Sequence, residues 1–144
     1  MKISQAQIKN LRKYALDGQA NSYAPYSGFH VGSAILTKNG NTYSGCNVEN
    51  ASYGATVCAE RTATWKAISS GDSSKITAIY VVVDAKEAWS PCGLCRQVLI
   101  EFAHPEAIVI CEGKSKKTKT YQLADLLPDS FGPAALQKKK TSVD

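Results

Sequence analysis

The sequence lacks the long apolar runs that would place it in a membrane or export it across one. Hydrophobic residues make up 44% of the chain, which is ordinary for a globular protein. No uninterrupted apolar segment approaches the roughly 20 residues of a membrane-spanning helix. The N-terminal residues 1–5 also lack the apolar stretch of a secretory signal. The expected compartment is therefore the cytosol, without a membrane partner.

The sequence also lacks an even number of cysteines. Five thiols cannot all pair within one chain, so a complete set of intramolecular disulfides is excluded. In a reducing cytosol, clustered cysteines are more often metal ligands or catalytic groups than disulfides. The cysteines are therefore the first residues to consider for function.

Aromatic residues are missing where the positive charge is concentrated. The net charge is +5, and one basic run contains Lys114, Lys116, Lys117 and Lys119 while another spans residues 138–140. Neither run contains the interleaved aromatics that stack on bases. A solvated loop and a frayed tail are favoured over a nucleic-acid patch, and no nucleic-acid partner is expected.

Hydrophobic periodicity and capping signals predict helices and strands along a single domain. The length of 144 residues suits one core, assigned to residues 1–136, with residues 137–144 expected as a disordered Lys-rich tail. Ser4 and Gly71 are typical of a helix start and a helix end, and Asn39-Gly40 is typical of a hairpin turn. The predicted helices are 4–20, 58–70, 92–102 and 121–127, and the predicted strands are 30–37, 42–48, 76–83 and 107–111. This order indicates an α/β fold with a mixed sheet between helical layers.

Two short motifs contain the residues of a metal site. Cys58-Ala59-Glu60 stands at the start of one predicted helix, and Pro91-Cys92-Gly93-Leu94-Cys95 begins another. Cysteines three residues apart share one helix face, and a helix N-terminus lowers the pKa of a thiol. Cys58, Cys92 and Cys95 are therefore predicted to bind zinc, with a fourth coordination position open to water.

A glutamate and an arginine lie beside these ligands. Glu60, two residues after Cys58, is expected to point its carboxylate toward the metal without binding it, where it can move protons between water and substrate. Three thiolates on Zn²⁺ leave a formal charge of about −1, which a nearby cation offsets. Arg61 is predicted to hydrogen-bond a thiolate sulfur and tune the metal. For Arg96, a role near the metal and a surface position remain equally open.

Two other interpretations of the cysteines stay open at this point. A structural zinc site needs a fourth ligand, and the spare residues lack a paired ligand spacing; they are Cys46, Cys111, His30 and His104. A thioredoxin-like redox pair would leave Cys58-Ala59-Glu60 unexplained. Cys46 and Cys111 are most simply buried small apolar residues in strands.

Five ordered segments resemble the small, homotetrameric cytidine deaminases. Cys58-Ala59-Glu60 and the following Pro-Cys-x-x-Cys match the zinc-deaminase signature with cysteine in place of histidine. The resemblance extends from Tyr23 to about Leu136 through residues 26–32, 45–51, 56–61, 91–97 and 126–133. It implies a three-layer α/β/α fold with a mixed five-stranded sheet and one Zn²⁺ per subunit. It also implies hydrolytic deamination of cytidine and deoxycytidine to uridine and deoxyuridine, with release of ammonia, in pyrimidine salvage.

The same resemblance implies substrate-binding residues. Asn47 and Glu49 resemble the pair that binds the ribose, and Phe29 resembles the aromatic residue beside the pyrimidine. The backbone of Ala59 resembles a contact to the base. Three further positions resemble contacts to a neighbouring subunit's site: Ala51, Tyr53 and Phe131.

Other functions remain as alternatives. The first is a related deaminase that acts on blasticidin S or on cytosine in a polynucleotide, but Asn47, Glu49 and the Phe131 segment favour a free nucleoside. A structural zinc module or binding protein is the non-enzymatic alternative.

Overall fold

Local capping signals fix the ends of the helices. The structure, a computed structural model, describes residues 2–137. The Ser4 hydroxyl accepts a hydrogen bond from Gln7 N while the Gln7 side chain accepts one from Ser4 N, so a capping box starts the first helix. Gly71 follows the second helix with φ +88°, a conformation that favours glycine. The helices are α1 (Gln5–Gln19), α2 (Ala59–Ser69), α3 (Gly93–Phe102) and α4 (Leu123–Leu126).

Five strands form one mixed sheet in the order β2-β1-β3-β4-β5. The strands are β1 (Val31–Thr37), β2 (Thr42–Cys46), β3 (Ile76–Val83), β4 (Ala103–Glu112) and β5 (Thr118–Gln122). Only β3 and β4 are parallel, and every other neighbouring pair is antiparallel. The predicted α/β fold with a mixed five-stranded sheet is confirmed.

Alternate residues of the central strands supply the cores on the two faces of the sheet. Ala78, Tyr80 and Val82 of β3 pack with α1 residues on one face. Ile79 and Val81 of the same strand pack on the other face with residues of α2, α3 and α4. All eight residues of β3 are buried, as the continuous apolar run predicts. The result is three layers, with α1 alone on one side.

Two glycines allow the helices to approach the sheet closely. A Cβ on Gly32 would lie 1.9 Å from the Ala15 carbonyl oxygen of α1. A Cβ on Gly45 would lie 2.6 Å from the Ala59 carbonyl oxygen of α2. Because real Cβ contacts are not this short, both positions need glycine. Gly45 thereby sets the position of the first turn of α2, which contains Glu60.

The C-terminal third differs from the sequence prediction. Residues 118–122 form β5, and α4 begins only at Leu123. The sequence had instead predicted a loop followed by a helix over 121–127. Thr118, Thr120 and Tyr121 have the β-branched and aromatic side chains that favour strands, but only Tyr121 is partly buried, so no apolar alternation marks the strand. Lys119 of the basic run is therefore in an edge strand, while Lys114, Lys116 and Lys117 are exposed before it.

Other boundaries agree more closely. β4 starts at Ala103 instead of 107, and its register with β3 shifts near Pro105, which explains why the apolar pattern begins later. The predicted tail lies outside the described residues except for Gln137, as does the basic run 138–140. No helix within residues 2–137 is long and apolar enough to cross a membrane.

Candidate metal centre and active site

Two helix N-termini bring the three predicted metal ligands together. Cys58 is the N-cap residue of α2 and Cys92 the N-cap residue of α3, and neither side chain makes a capping hydrogen bond. Cys95 lies in the first turn of α3 and is fully buried. The three sulfur atoms all lie within 4.8 Å of one another. The predicted cluster of Cys58, Cys92 and Cys95 is thus present.

The spacing of the thiols fits a tetrahedral zinc ion. Zinc–sulfur bonds of about 2.3 Å at tetrahedral angles place two sulfurs roughly 3.8 Å apart. The Cys58 and Cys92 sulfurs are 3.6 Å apart. No fourth histidine, cysteine or carboxylate joins this group within the described part of the chain. Three protein ligands with one open position is the coordination of catalytic zinc sites, whereas structural sites have four.

The electrostatics of the thiols also favour a cation. A hydrogen bond from Cys95, together with the Arg61 guanidinium, lowers the pKa of the Cys58 thiol to about 5. The same hydrogen bond, with burial, raises the pKa of Cys95. Ionised sulfurs this close repel each other, so ionisation of either thiol opposes ionisation of the other. A divalent cation between them removes this repulsion and allows both to ionise.

Arg61 lies against the cluster. Its Nη2 lies 3.5 Å from the Cys58 sulfur and 3.5 Å from the carbonyl oxygen of Thr56. The guanidinium also lies over the Trp65 ring, 5.9 Å from its centroid. Arg61 lies in the first turn of α2. The helix that begins after Cys58 therefore also supplies a positive charge beside its sulfur.

Glu60 places a buried carboxyl beside the cluster. It is only 4% exposed, and burial raises its pKa to about 7. A carboxyl with a pKa near neutrality can both accept and release a proton under physiological conditions. Glu60 is not among the residues grouped as possible metal ligands, so it stays a candidate for proton transfer.

A cavity of about 270 Å³ opens in front of these groups. Four predicted substrate residues border it together with Glu60: Phe29, Asn47, Glu49 and Ala59. Cys58 and Cys92 also line it, whereas Cys95 lies behind them. Residues from the β1 start, the β2 end, α2 and the loop before α3 therefore meet in one site.

The two predicted ribose-binding residues are firmly positioned by neighbouring loops. The Asn47 amide donates to Phe29 O at 2.8 Å, and its oxygen accepts from Val31 N at 2.9 Å. Since an amide nitrogen carries two N–H groups, the second N–H of Asn47 is left for another acceptor. The Glu49 carboxylate accepts hydrogen bonds from Ser27 N and Ser27 Oγ, which lower its pKa and keep it ionised.

The three residues expected to serve a neighbouring subunit lie outside this cavity. Ala51 is exposed, Tyr53 is 75% exposed, and Phe131 is 60% exposed. Tyr53 lines a second hollow that shares Ser27 and Glu49 with the cavity. Phe131 is tethered through its carbonyl oxygen, which accepts from the Gln97 side chain at 2.9 Å. Within one chain, therefore, these three do not complete the site.

The structure adds two residues that the sequence did not reveal, Ser27 and Trp89, and it decides between the two positions left open for Arg96. Ser27 and Trp89 line the cavity. Arg96 is neither a surface residue nor a sulfur contact, because its guanidinium donates to Pro91 O, Ser90 Oγ and Leu126 O. Ser27 and Trp89 lie in loops whose course no local pattern indicates, and the Arg96 acceptors are likewise set by how those loops pack.

The spare metal-ligand candidates have other roles. The His30 ring contacts Ser22 Oγ at 3.0 Å, and His104 accepts from Glu106 N at 3.2 Å. Cys111 is fully buried in β4, as predicted, while Cys46 at the end of β2 is only partly buried. A closed structural zinc site formed with these residues is not supported by the described structure.

Comparisons with known proteins identify the family. The sequence profile described as "Cytidine and deoxycytidylate deaminase zinc-binding region" matches residues 5–112. The chain belongs to this deaminase family. Its metal is zinc, in agreement with the three-thiol cluster.

Relatives and solved structures agree with this assignment. The chain is 43% identical to the cytidine deaminase of Halalkalibacterium halodurans over 84% of this chain and 91% of that protein. It is 44% identical to the cytidine deaminase of Sporosarcina psychrophila over 86% and 90%, respectively. The crystal structure of cytidine deaminase from Burkholderia pseudomallei has a TM-score of 0.82 at 40% identity, covering 90% of this chain and all of that one. The corresponding structure from Mycobacterium tuberculosis has a TM-score of 0.72 at 37% identity, covering 90% and 99%.

Proposed function

We propose that the protein hydrolyses the exocyclic amine of cytidine and deoxycytidine, giving uridine or deoxyuridine and ammonia. The observation that carries this proposal is the buried Glu60 carboxyl in the same cavity as two thiols of the zinc cluster. Zinc deaminases use a glutamate outside the coordination shell in this way. Relatives with about two-fifths of their residues in common are named cytidine deaminases, which supports cytidine as the substrate.

In the proposed mechanism, Cys58, Cys92 and Cys95 would hold the zinc, and Glu60 moves the protons. The zinc, when bound, would lower the pKa of a water that serves as the nucleophile. Glu60 accepts a proton from the attacking water and delivers it to N3 of the pyrimidine. It then transfers the remaining proton of the hydroxyl on C4 to the amine, so that the C4–N bond breaks, ammonia leaves, and the water oxygen remains on C4 as the carbonyl of uridine. Arg61, which contacts the Cys58 sulfur, adds positive charge that favours the thiolate.

Side chains along the cavity are proposed to bind the nucleoside. Phe29 packs beside the pyrimidine, and the backbone of the buried Ala59 contacts the base. Asn47 retains one amide N–H for a ribose hydroxyl, and the ionised Glu49 carboxylate accepts a hydrogen bond from another. This arrangement does not require a 2′-hydroxyl, which supports deoxycytidine as a second substrate.

The remaining predicted contacts are proposed to act between subunits of a homotetramer. Ala51, Tyr53 and Phe131 are exposed in the single chain, and exposed aromatic side chains commonly mark interfaces. In this proposal they complete the site of a neighbouring copy. The proposed setting is pyrimidine salvage in the cytoplasm, where a reducing environment would keep the three zinc-binding thiols from forming disulfides.

The proposed activity is tested by the loss of cytidine absorbance after adding the purified, zinc-loaded protein. Cytosine, blasticidin S and single-stranded DNA serve as competing substrates in parallel reactions. Cytidine and deoxycytidine are expected to react, and a zinc chelator is expected to stop the reaction. Turnover of one of the competing substrates without turnover of cytidine would refute the assignment.

A paired substitution tests the role of Glu60. Glu60→Gln removes the proton carrier and is expected to lower kcat by roughly 10²–10⁴-fold while zinc stays at about one per chain. Glu101→Gln on the exposed part of α3 is the matched control and should leave kcat unchanged. If Glu60→Gln lost both zinc and the folded state, Glu60 would be structural instead.

A further inference from the structure

The loop before α3 presents a tryptophan to the cavity. Trp89 is 43% exposed, although Ala88 before it is only 6% exposed and Pro91 after it is fully buried. The loop is anchored at both ends, because Asp84 N donates to His30 O and the Arg96 guanidinium donates to Pro91 O. The backbone on both sides of Trp89 is therefore fixed, which places this side chain at the cavity.

Trp89 forms an aromatic pair with Phe29 inside the cavity. The two ring centroids are 4.8 Å apart and the ring planes meet at 63°, an edge-to-face arrangement. Phe29 is 42% exposed, and both rings line the cavity that contains Glu60. The pair therefore gives this cavity an apolar, aromatic side. Both rings remain partly exposed there within the described residues.

The other tryptophan shows that exposure alone does not make a ligand contact. Trp65 is 44% exposed, almost the same fraction as Trp89. Its ring contacts the Arg61 guanidinium on α2 and does not line the cavity. The two tryptophans of the chain thus differ in location rather than in exposure, and Trp65 provides an internal control.

We propose that Trp89 is a substrate-binding residue that, together with Phe29, forms the aromatic wall against which the nucleoside base packs. The inference rests on the proposed nucleoside substrate. A planar base presents a π face to such a wall. When the base packs there, the exposed indole surface of Trp89 is removed from water. Trp89 acts on binding of the base and not on proton transfer, which belongs to Glu60.

Steady-state kinetics separate this role from a structural one. Trp89→Ala is expected to raise KM for cytidine by roughly 5- to 100-fold with little change in kcat, because base–aromatic contacts contribute to binding. Trp89→Phe should restore most of the affinity, and Trp65→Phe, which keeps an aromatic ring beside Arg61, should leave KM near its original value. Zinc content is measured for every variant. Unchanged KM in zinc-loaded Trp89→Ala would overturn the inference.

Fluorescence tests the contact without altering Trp89. In a Trp65→Phe, Glu60→Gln protein, Trp89 is the sole tryptophan and turnover is blocked. Titration with cytidine is expected to quench its emission saturably, and titration with ribose alone is not. If the unsubstituted enzyme deaminates cytidine but Trp89 emission does not respond, the inference is wrong. If the unsubstituted enzyme does not deaminate cytidine, the proposed function fails first.

Discussion

The Arg96 guanidinium fixes the segment that leads into Cys92, so its removal tests how rigidly the metal centre is held. Nε donates to Pro91 O at 2.7 Å and Nη2 to Ser90 Oγ at 2.8 Å. Nη1 donates to Leu126 O at the end of α4, at 2.8 Å. One side chain therefore joins the metal-binding loop to the C-terminal part of the fold.

The loss expected for Arg96→Met follows from these three bonds. A hydrogen bond to a charged group contributes about 1.5–3 kcal/mol, but three bonds made by one group are not additive. We expect the free energy of unfolding to fall by about 3–4 kcal/mol, since two carbonyl acceptors next to buried side chains lose their donor. For a domain of this size the melting temperature should drop by roughly 6–16 °C.

Zinc affinity provides the second measurement. Groups that orient metal ligands from outside the coordination shell typically change metal affinity by roughly 10–100-fold. Competition with a chromogenic zinc chelator should therefore show weaker binding in Arg96→Met, alongside the lower melting temperature. Arg96→Lys keeps the charge but reaches fewer acceptors, so it should give an intermediate result.

A specific outcome would refute this reasoning. If Arg96→Met melted at the original temperature and bound zinc with the original affinity, the three hydrogen bonds would not hold the loop. If only the melting temperature fell, Arg96 would stabilise the fold without positioning Cys92.

Two further predictions concern the fold around the site. Gly45→Ala would place a Cβ 2.4 Å from Ala63 N, so denaturant unfolding should show a loss of roughly 1–3 kcal/mol and displacement of α2 should reduce deamination. Gly54→Ala, where a Cβ meets nothing within 4 Å, should be neutral for unfolding. Hydrogen bonds from Arg12 lower the pKa of the Glu112 carboxyl in the folded state. Its stabilising contribution should therefore be complete above the unfolded pKa and disappear as the pH falls through the folded pKa, so the unfolding free energies of the parent and Glu112→Gln should converge in acid.

The helices could be predicted from the sequence because their ends depend on neighbouring residues. The Ser4 capping box and the left-handed Gly71 use hydrogen bonds and backbone angles within a few positions. The first helix was expected at 4–20 and is found at Gln5–Gln19. By contrast, β5 owes its existence to hydrogen bonds with β4, and its residues are mostly exposed. An edge strand with so little burial carries no alternating pattern to detect.

The residues of the candidate site also differ in whether neighbouring or distant residues determine their positions. Cys58 and Cys92 are N-cap residues, so local sequence already places both thiols at positive helix ends, and the motif spacing was sufficient to predict them. Arg96 instead finds one acceptor, Leu126 O, 30 residues away, and Trp89 meets Phe29 across the cavity. Such partners are chosen by the packing of loops, which residue type and spacing do not encode. The chemistry of the zinc cluster can therefore be read from local motifs, whereas the shape that selects its substrate requires the folded chain.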